Sequence, residues 1–230
     1  MRIDEYRNVI FDLDGVLFDS NTAKVRAARR VVANLVPEVA DAFARDFSDN
    51  FGLTRRQHFE RCHSSYLGAR GFDPSIVDQM IEEYAREVRT LYEDCDVCEG
   101  ALELVRALRD LNKVSSVVTG GDQQEARALI GRSAFRGLFR EILGGPESKT
   151  CNTRRLMESA GFQASSTIFI GDARQDWETA RDCGAAFVLV TRYSIANMTV
   201  LRDLVIRSGG RVVPSLRELI AETSCHAHTA

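Results

Sequence analysis

VIFDLDG at residues 9–15 is the stretch that decides the fold of this chain. Its first three residues are apolar, and the apolar run stops abruptly at Asp12. A short continuous run of this kind is typical of a buried parallel strand, here one that ends in a loop carrying Asp12 and Asp14. Five further runs, of which the second and the last are weaker, have the same character: Val114–Val118, Ile142–Leu143, Thr167–Ile170, Ala186–Val190 and Arg211–Val213.

Segments with helical periodicity separate these runs. They are Ala101–Leu111, Gln123–Ile130, Thr153–Ala160, Asp176–Cys183 and Leu216–Glu222. Strands that alternate with helices predict an α/β fold, with a doubly wound parallel sheet of Rossmann-like type. Such sheets bind ligands at the carboxyl ends of their strands. In this chain those ends carry Asp12, Asp14, Thr119, Lys149 and Asp172.

One long segment interrupts the alternation. Between residues 20 and 98 no comparable strand is present, whereas helical periodicity runs through Ala23–Leu35, Arg56–Leu67 and Ile76–Leu91. We therefore predict a catalytic core formed by residues 1–19 and 99–230, and an all-helical cap formed by residues 20–98.

Composition excludes several classes of protein. Hydrophobic residues make up 44% of the chain and charged residues 27%, with interspersed charges and a net charge of −3. The charge distribution predicts no binding of nucleic acid, and no apolar stretch is long enough to cross a membrane. The beginning of the chain does not resemble a secretion signal, and six scattered cysteines suggest reduced thiols, so we expect a cytoplasmic protein.

Acidic residues provide the first functional signal. Asp12 and Asp14 alone fit a loop with two solvated acids equally well. Asp172 and Asp176, however, follow another strand, and if the two strands are neighbours these carboxylates converge. Clustered carboxylates require a cation, and oxygen ligands beside a phosphate-sized pocket suit Mg²⁺. The alternative role for Asp176 is to cap the following helix.

Polar groups at two other strand ends suit a phosphate. The Thr119 hydroxyl and the backbone at Gly120 can contact a phosphoryl oxygen, although an ordinary loop has the same composition. Lys149 can supply a positive charge. The chain has 27 arginines and only 3 lysines, so a lysine at this position favours a functional role.

These residues, in this order, resemble the motifs of the haloacid dehalogenase-like hydrolase superfamily. The matching stretches are FDLDGVL at 11–17, VTG at 118–120, Lys149, and GDARQD at 171–176. The helical insert is similar to the C1-type cap of that family, so the resemblance covers the whole chain. The length and Asp19-Ser20 after the first motif are similar to the branch of phosphoglycolate phosphatases and β-phosphoglucomutases.

The resemblance implies a role for each acid. Asp12 would attack phosphorus and form an aspartyl-phosphate, and Asp14 would act as general acid and then as general base. Mg²⁺ would be held by Asp12, Asp172 and the backbone carbonyl of Asp14, with Asp176 as a further ligand or an anchor.

The resemblance also implies that Thr119, Gly120 and Lys149 bind the transferring phosphoryl group. Two positions depart from the family pattern. Thr150 follows the lysine where many relatives have proline, and Gly121 stands where a small polar residue is common. The nearest substitutes for the lysine are Arg154 and Arg155.

Substrate choice is assigned to the cap, which would close over the leaving group. In the segment 50–58 the candidate specificity residues are Arg55, Arg56 and His58. The alternative is a basic first turn on a solvated helix.

The expected activity is a Mg²⁺-dependent phosphohydrolase, similar to phosphoglycolate phosphatase, acting on a small phosphate ester. Asp14 argues against a dehalogenase, which attacks carbon and needs no acid at that position. A phosphonatase would use a cap lysine as Schiff base, and Lys24 is the one lysine in the predicted cap. A phosphomutase, or a non-catalytic module that binds a phosphorylated ligand, remains an alternative.

Overall fold

The computed structural model describes residues 1–223. Six parallel strands form one sheet in the order β3-β2-β1-β4-β5-β6. The strands are β1 (Asn8–Phe11), β2 (Val114–Asp122), β3 (Ile142–Gly145), β4 (Thr167–Gly171), β5 (Ala186–Val190) and β6 (Arg211–Val213). All six predicted strands are present, and the doubly wound α/β fold is confirmed.

Ten α-helices accompany the sheet within the described residues. They are α1 (Asn21–Ala33), α2 (Pro37–Asp49), α3 (Arg55–Cys62), α4 (Ile76–Leu91), α5 (Ala101–Asp110), α6 (Gln123–Arg132), α7 (Lys149–Ala160), α8 (Arg174–Asp182), α9 (Met198–Arg207) and α10 (Arg217–Thr223). Within residues 1–223, no helix combines the length and the apolar character needed to cross a bilayer.

Strand β1 is central and decides where the site lies. Phe11 is opposite Val117 in β2 and Ile170 in β4. The chain therefore leaves the sheet at Asp12 and Asp172 from neighbouring strands, beside the end of β2. Because the strand order reverses around β1, a crevice opens at this edge of the sheet.

Each face of the sheet has its own apolar core. Val9 and Phe11 of β1 pack into one core with residues of α5, α6 and α10, whereas Ile10 packs into the other with residues of α7, α8 and α9. Successive strand residues point to opposite faces, so a strand covered by helices on both sides must be apolar throughout. This explains why β1 is an uninterrupted apolar run.

The insert consists of helices α1 to α4 with short helical turns between them. The segments that join it to the sheet run antiparallel, with Phe18 bridged to Val97 and the amide of Asp19 donating to the Asp96 carbonyl. The periodicity prediction missed α2, which begins at Pro37 and buries Phe43 and Phe47. Proline is well suited to the first turn of a helix because its missing N–H has no partner there.

Several predicted boundaries differ from the structure. Helix α7 begins at Lys149 rather than Thr153, because Ser148 accepts a hydrogen bond from the Cys151 amide and caps it. Strand β2 continues to Asp122, so Thr119 lies within the strand. Helix α9 was not predicted.

Candidate active site

Three carboxylates meet at the carboxyl ends of β1 and β4. One oxygen each of Asp12, Asp172 and Asp176 lies within 4.8 Å of the others, and all three residues are buried. Asp12 and Asp172 follow the two paired strands, and Asp176 lies in the first turn of α8. The pairing of β1 with β4 therefore brings together acids that are 160 residues apart in the chain.

Gly15 makes this arrangement possible. Its φ of +77° is in the left-handed region, and a Cβ at this position would overlap the side chains of Asn21 and Asp172. The turn after β1 therefore packs directly against the acidic cluster. Where a Cβ on Gly15 would lie, the Asn21 side chain donates a hydrogen bond of 2.6 Å to Asp172 Oδ2.

Lys149 lies inside the cluster. Its Nζ is 2.8 Å from Asp12 Oδ1 and 2.6 Å from Asp176 Oδ1, and its side chain is 1% exposed. The candidate substitutes do not reach this point, since Arg154 contacts the Asp182 carbonyl and Arg155 contacts Asn152. The capped start of α7 at Ser148 aims the lysine at the acids.

The charges at this centre perturb one another. Burial, and next the charge of Asp176, raise the pKa of Asp12 to about 7 in spite of the opposing effect of Lys149. Burial, followed by the charges of Asp12 and Asp176, raises the pKa of Asp172 well above its ordinary value. Burial lowers the pKa of the Lys149 ammonium, but the negative charges of Asp12 and Asp176 outweigh this effect and raise that pKa.

The donor set fits a divalent cation. Asp12 Oδ1 and Asp172 Oδ1 are buried and accept no hydrogen bond from residues 1–223; the 2.8 Å contact of Lys149 with Asp12 Oδ1 is an ion pair without hydrogen-bond geometry. Asp176, in contrast, has both oxygens engaged, by Lys149 and by the amides of Asp172 and Ala173. Three carboxylates against one ammonium leave an excess of negative charge for a cation.

The Asp14 side chain lies outside this cluster. Its Oδ1 accepts hydrogen bonds from Ser20 Oγ at 2.5 Å and Tyr92 Oη at 2.9 Å, and its Oδ2 pairs with Lys24 Nζ at 2.5 Å. Burial opposes its charge, but the ammonium of Lys24 and these hydrogen bonds lower the pKa of Asp14. The sequence analysis missed Ser20 and Tyr92 and considered Lys24 only as a Schiff base. The scarcity of lysine was a signal that could have indicated this second role.

Strand β2 forms the opposite wall. Thr119 is buried, and its Oγ1 accepts a hydrogen bond from the Gly121 amide. A Cβ at Gly120 would overlap the Gly52 carbonyl, so this glycine lets the loop before α3 approach the end of β2. The insert thus closes the space above the acids.

A small cavity, with a volume of about 30 Å³, lies between the insert and the strand ends. It is lined by Asp12, Asp14, Lys24, Phe47, Phe51, Gly52, Leu53, Arg55, His58, Tyr84, Thr119, Gly120, Gly121 and Lys149. The structure therefore brings the predicted phosphate-binding residues and both candidate catalytic acids to one cavity.

The three candidate specificity residues are placed differently. Arg55 lines the cavity, pairs with Glu125 at 2.5 Å and has a buried Nε without a hydrogen-bond partner. His58 also lines the cavity, stacks on Phe47 and has an unpartnered Nδ1, and burial lowers its pKa to about 3. Arg56 is absent from the lining and pairs with Asp78 on the exposed surface.

Comparison with known proteins indicates a family for this chain. A family model described as haloacid dehalogenase-like hydrolase matches residues 9–190. A phosphoglycolate phosphatase from Pseudomonas savastanoi pv. phaseolicola is 27% identical over 191 residues, which cover 80% of this chain and 68% of that protein. A 5'-nucleotidase from Pseudomonas aeruginosa is 28% identical over 192 residues, 80% of this chain and 81% of that protein.

Solved structures show the same fold. A hydrolase from Pseudomonas syringae matches with a TM-score of 0.75 at 19% identity, covering 94% of this chain and 96% of that chain. The chain therefore belongs to the haloacid dehalogenase-like hydrolase family. Within the family it falls in the phosphoglycolate phosphatase-like branch, and it is a phosphatase.

Proposed function

We propose that this phosphatase hydrolyses a small phosphomonoester of the phosphoglycolate type, depends on Mg²⁺ and transfers the phosphoryl group through Asp12. The observation that carries the proposal is that two acids only two residues apart are held in different ways. Asp12 Oδ1 accepts no hydrogen bond from the described residues and is ion-paired with Lys149, whereas both oxygens of Asp14 accept hydrogen bonds, from Ser20, Lys24 and Tyr92. Two carboxylates in separate environments suit a nucleophile and an acid/base.

In the first chemical step, a carboxylate oxygen of Asp12 attacks phosphorus and the bond from phosphorus to the ester oxygen breaks. Asp14, which takes up a proton from solvent when the substrate binds, gives that proton to the leaving oxygen, so the product is an alcohol and the enzyme holds an aspartyl-phosphate. In the second step, Asp14 takes a proton from water as the water oxygen attacks phosphorus. Inorganic phosphate leaves, and the Asp12 carboxylate is restored.

The remaining residues of the site hold the phosphoryl group. Thr119 and the backbone at Gly120 line the cavity beside Asp12 and can donate to phosphoryl oxygens. Lys149 brings a fixed positive charge to the same wall. Asp12 and Asp172 would hold Mg²⁺, with Asp176 fixing Lys149 and the turn behind them, and the cation would offset the negative charge of the phosphoryl group.

Dependence on a divalent cation tests this proposal. Purified protein is expected to release phosphate from 2-phosphoglycolate, or from another member of a panel of small phosphomonoesters, with Mg²⁺ and to stop when the metal is chelated. Undiminished release after exhaustive chelation would overturn the proposed site. Isomerisation of a sugar phosphate without free phosphate would instead indicate a mutase, and ligand binding without turnover would indicate a binding module.

Thermal unfolding provides a readout besides activity. Because the pKa of Asp12 is raised to about 7, the metal-free folded protein binds more protons than the unfolded chain from about pH 4 to pH 7, so its stability falls as the pH rises through that window. Mg²⁺ competes with those protons. We expect Mg²⁺ to raise the Tm more at about pH 8 than at about pH 5.5, with a stabilisation of about 2.7 kcal/mol at a concentration of 100 times Kd. An equal shift at both pH values would contradict this assignment of the ligands.

Arg55 and Arg56 form a matched pair for the substrate pocket, because they are adjacent and only Arg55 lines the cavity. We expect Arg55→Gln to raise the KM for the best substrate about tenfold, the equivalent of one charge-assisted hydrogen bond. Arg56→Gln removes an exposed ion pair and should change KM less than about twofold. Steady-state kinetics on both variants check this, and equal effects would remove Arg55 from the pocket.

A further inference from the structure

Three side chains associated with the insert hold the carboxylate of Asp14. Ser20 directly precedes α1, Lys24 lies in the second turn of α1, and Tyr92 directly follows α4. All three are buried, as is Asp14 itself. Lys24 Nζ also lies 5.0 Å from the centre of the Tyr92 ring, so the two residues support each other as well as the acid.

The two oxygens of Asp14 are engaged differently. Oδ1 accepts from both Ser20 and Tyr92, and these two donors do not line the cavity. Among the described residues, Oδ2 accepts only from Lys24, which does line the cavity. A carboxylate oxygen has about two acceptor positions, so Oδ1 is saturated and Oδ2 retains one.

Oδ2 is also the oxygen beside the predicted phosphate-binding wall. The position that a Cβ would occupy on Gly121 shows how close these groups are to one another. It lies 3.4 Å from Thr119 Oγ1, 3.5 Å from Lys24 Nζ and 3.9 Å from Asp14 Oδ2. The lysine ammonium, the free lone pair of the acid and the hydroxyl of β2 therefore converge on one small volume.

We propose that Lys24 and Tyr92 are positioning residues, which hold Asp14 so that its Oδ2 exchanges the proton with the leaving oxygen. The inference rests on the proposed function and deepens it. Tyr92 anchors Oδ1 from behind, and Lys24 fixes the direction of Oδ2 from the cavity side. Both come from the insert, so the position of this acid depends on how the insert packs on the strand ends.

This arrangement has a consequence that depends on the leaving group. An alkoxide leaving group needs a proton as the bond to phosphorus breaks, whereas p-nitrophenolate is stable without one. kcat/KM reports the steps up to departure of the leaving group, so it isolates the acid role of Asp14 from its later role as a base. A positioning defect should therefore lower kcat/KM for glycerol 3-phosphate and spare kcat/KM for p-nitrophenyl phosphate.

The experiment compares Lys24→Met and Tyr92→Phe with wild type on these two probes, in the presence of Mg²⁺. Because Lys24 and Tyr92 also lower the pKa of Asp14, kcat/KM is compared at the pH optimum of each protein. We expect kcat/KM for glycerol 3-phosphate to fall about 100-fold in each variant, within the range for general acid catalysis, and that for p-nitrophenyl phosphate to change less than about threefold. Tyr66→Phe in the insert and Lys113→Met at the opposite end of the sheet are the matched controls and should leave both values unchanged.

Tyr92→Phe removes one oxygen atom, and equal Tm values for variant and wild type would show that it folds. A parallel loss on both probes, or no loss on either, would overturn the positioning role. Asp12→Asn is measured alongside. Turnover of p-nitrophenyl phosphate that survives in Asp12→Asn would overturn the proposed function itself, and with it this inference, whereas a parallel loss in the Lys24 and Tyr92 variants alone leaves the function intact.

Discussion

Asp12→Asn is expected to abolish phosphate release, with kcat at least about 10⁴-fold below wild type. The amide keeps the shape of the side chain but cannot attack phosphorus. The variant also lacks the negative charge of Asp12. That charge is unfavourable in the folded protein, because burial and next the charge of Asp176 raise the pKa of Asp12. Above about pH 7, where that charge is present, the metal-free variant should therefore unfold at a Tm no lower than that of wild type.

The control for Asp12→Asn is the same chemical change at Asp110. That residue ends α5, is exposed, and lies at the edge of the sheet opposite the site. Asp110→Asn should keep full turnover and Tm. Rapid quenching of wild type during turnover, followed by mass measurement of the intact protein, should reveal one added phosphoryl group that is missing from Asp12→Asn. Sustained turnover by Asp12→Asn would exclude Asp12 as the nucleophile.

Lys149→Met should have the second largest effect. The ammonium lies between Asp12 and Asp176 and is almost completely buried. Its removal leaves two buried carboxylates facing each other, and breaking a buried ion pair in this way costs about 3–5 kcal/mol. We expect kcat to fall by about 10²–10³-fold as well, as for other groups that stabilise charge in the transition state.

The loss of stability in Lys149→Met should depend on pH. Lys149 lowers the pKa of Asp12, so the pKa of that acid rises further in the variant. The metal-free variant should lose stability, relative to wild type, as the pH increases through neutrality and the acids give up their protons. Denaturant unfolding across this range measures the effect. Lys113→Met, which removes a half-buried lysine that donates to the Asp4 carbonyl, is the matched control, and equal effects in the two variants would show that Lys149 has no special role.

Much of the fold could be predicted from local patterns. The uninterrupted apolar run before Asp12 reflects burial of β1 on both faces, and the same signal marks the other strands. Helices α2 and α9 were missed although their buried residues have helical spacing. Helix α2 buries Val39, Phe43 and Phe47 and begins at a proline, and α9 buries Leu201 and Val205, so both patterns were available in the sequence.

The candidate site divides in the same way. Asp12, Asp172 and Lys149 follow strands or begin a helix, so the sequence predicted that the acids converge only if their two strands are neighbours, and the pairing of β1 with β4 meets that condition. The different placement of Arg55 and Arg56 depends on which face of α3 turns towards the sheet. Phe59 and Cys62 lie four and seven positions after Arg55, so helical spacing is a signal that could have placed Arg55 on the buried face of α3.

Short stretches of the sequence predict whether each element is a helix or a strand and which acids lie at the edge of the sheet, because backbone conformation and burial depend on neighbouring residues. Local sequence patterns did not predict the residues that hydrogen-bond to Asp14. Lys24 and Tyr92 reach it from two helices of the insert, and Tyr92 is 78 residues away in the chain. Those contacts exist because the insert docks on the strand ends, and docking is decided by the packing of whole surfaces.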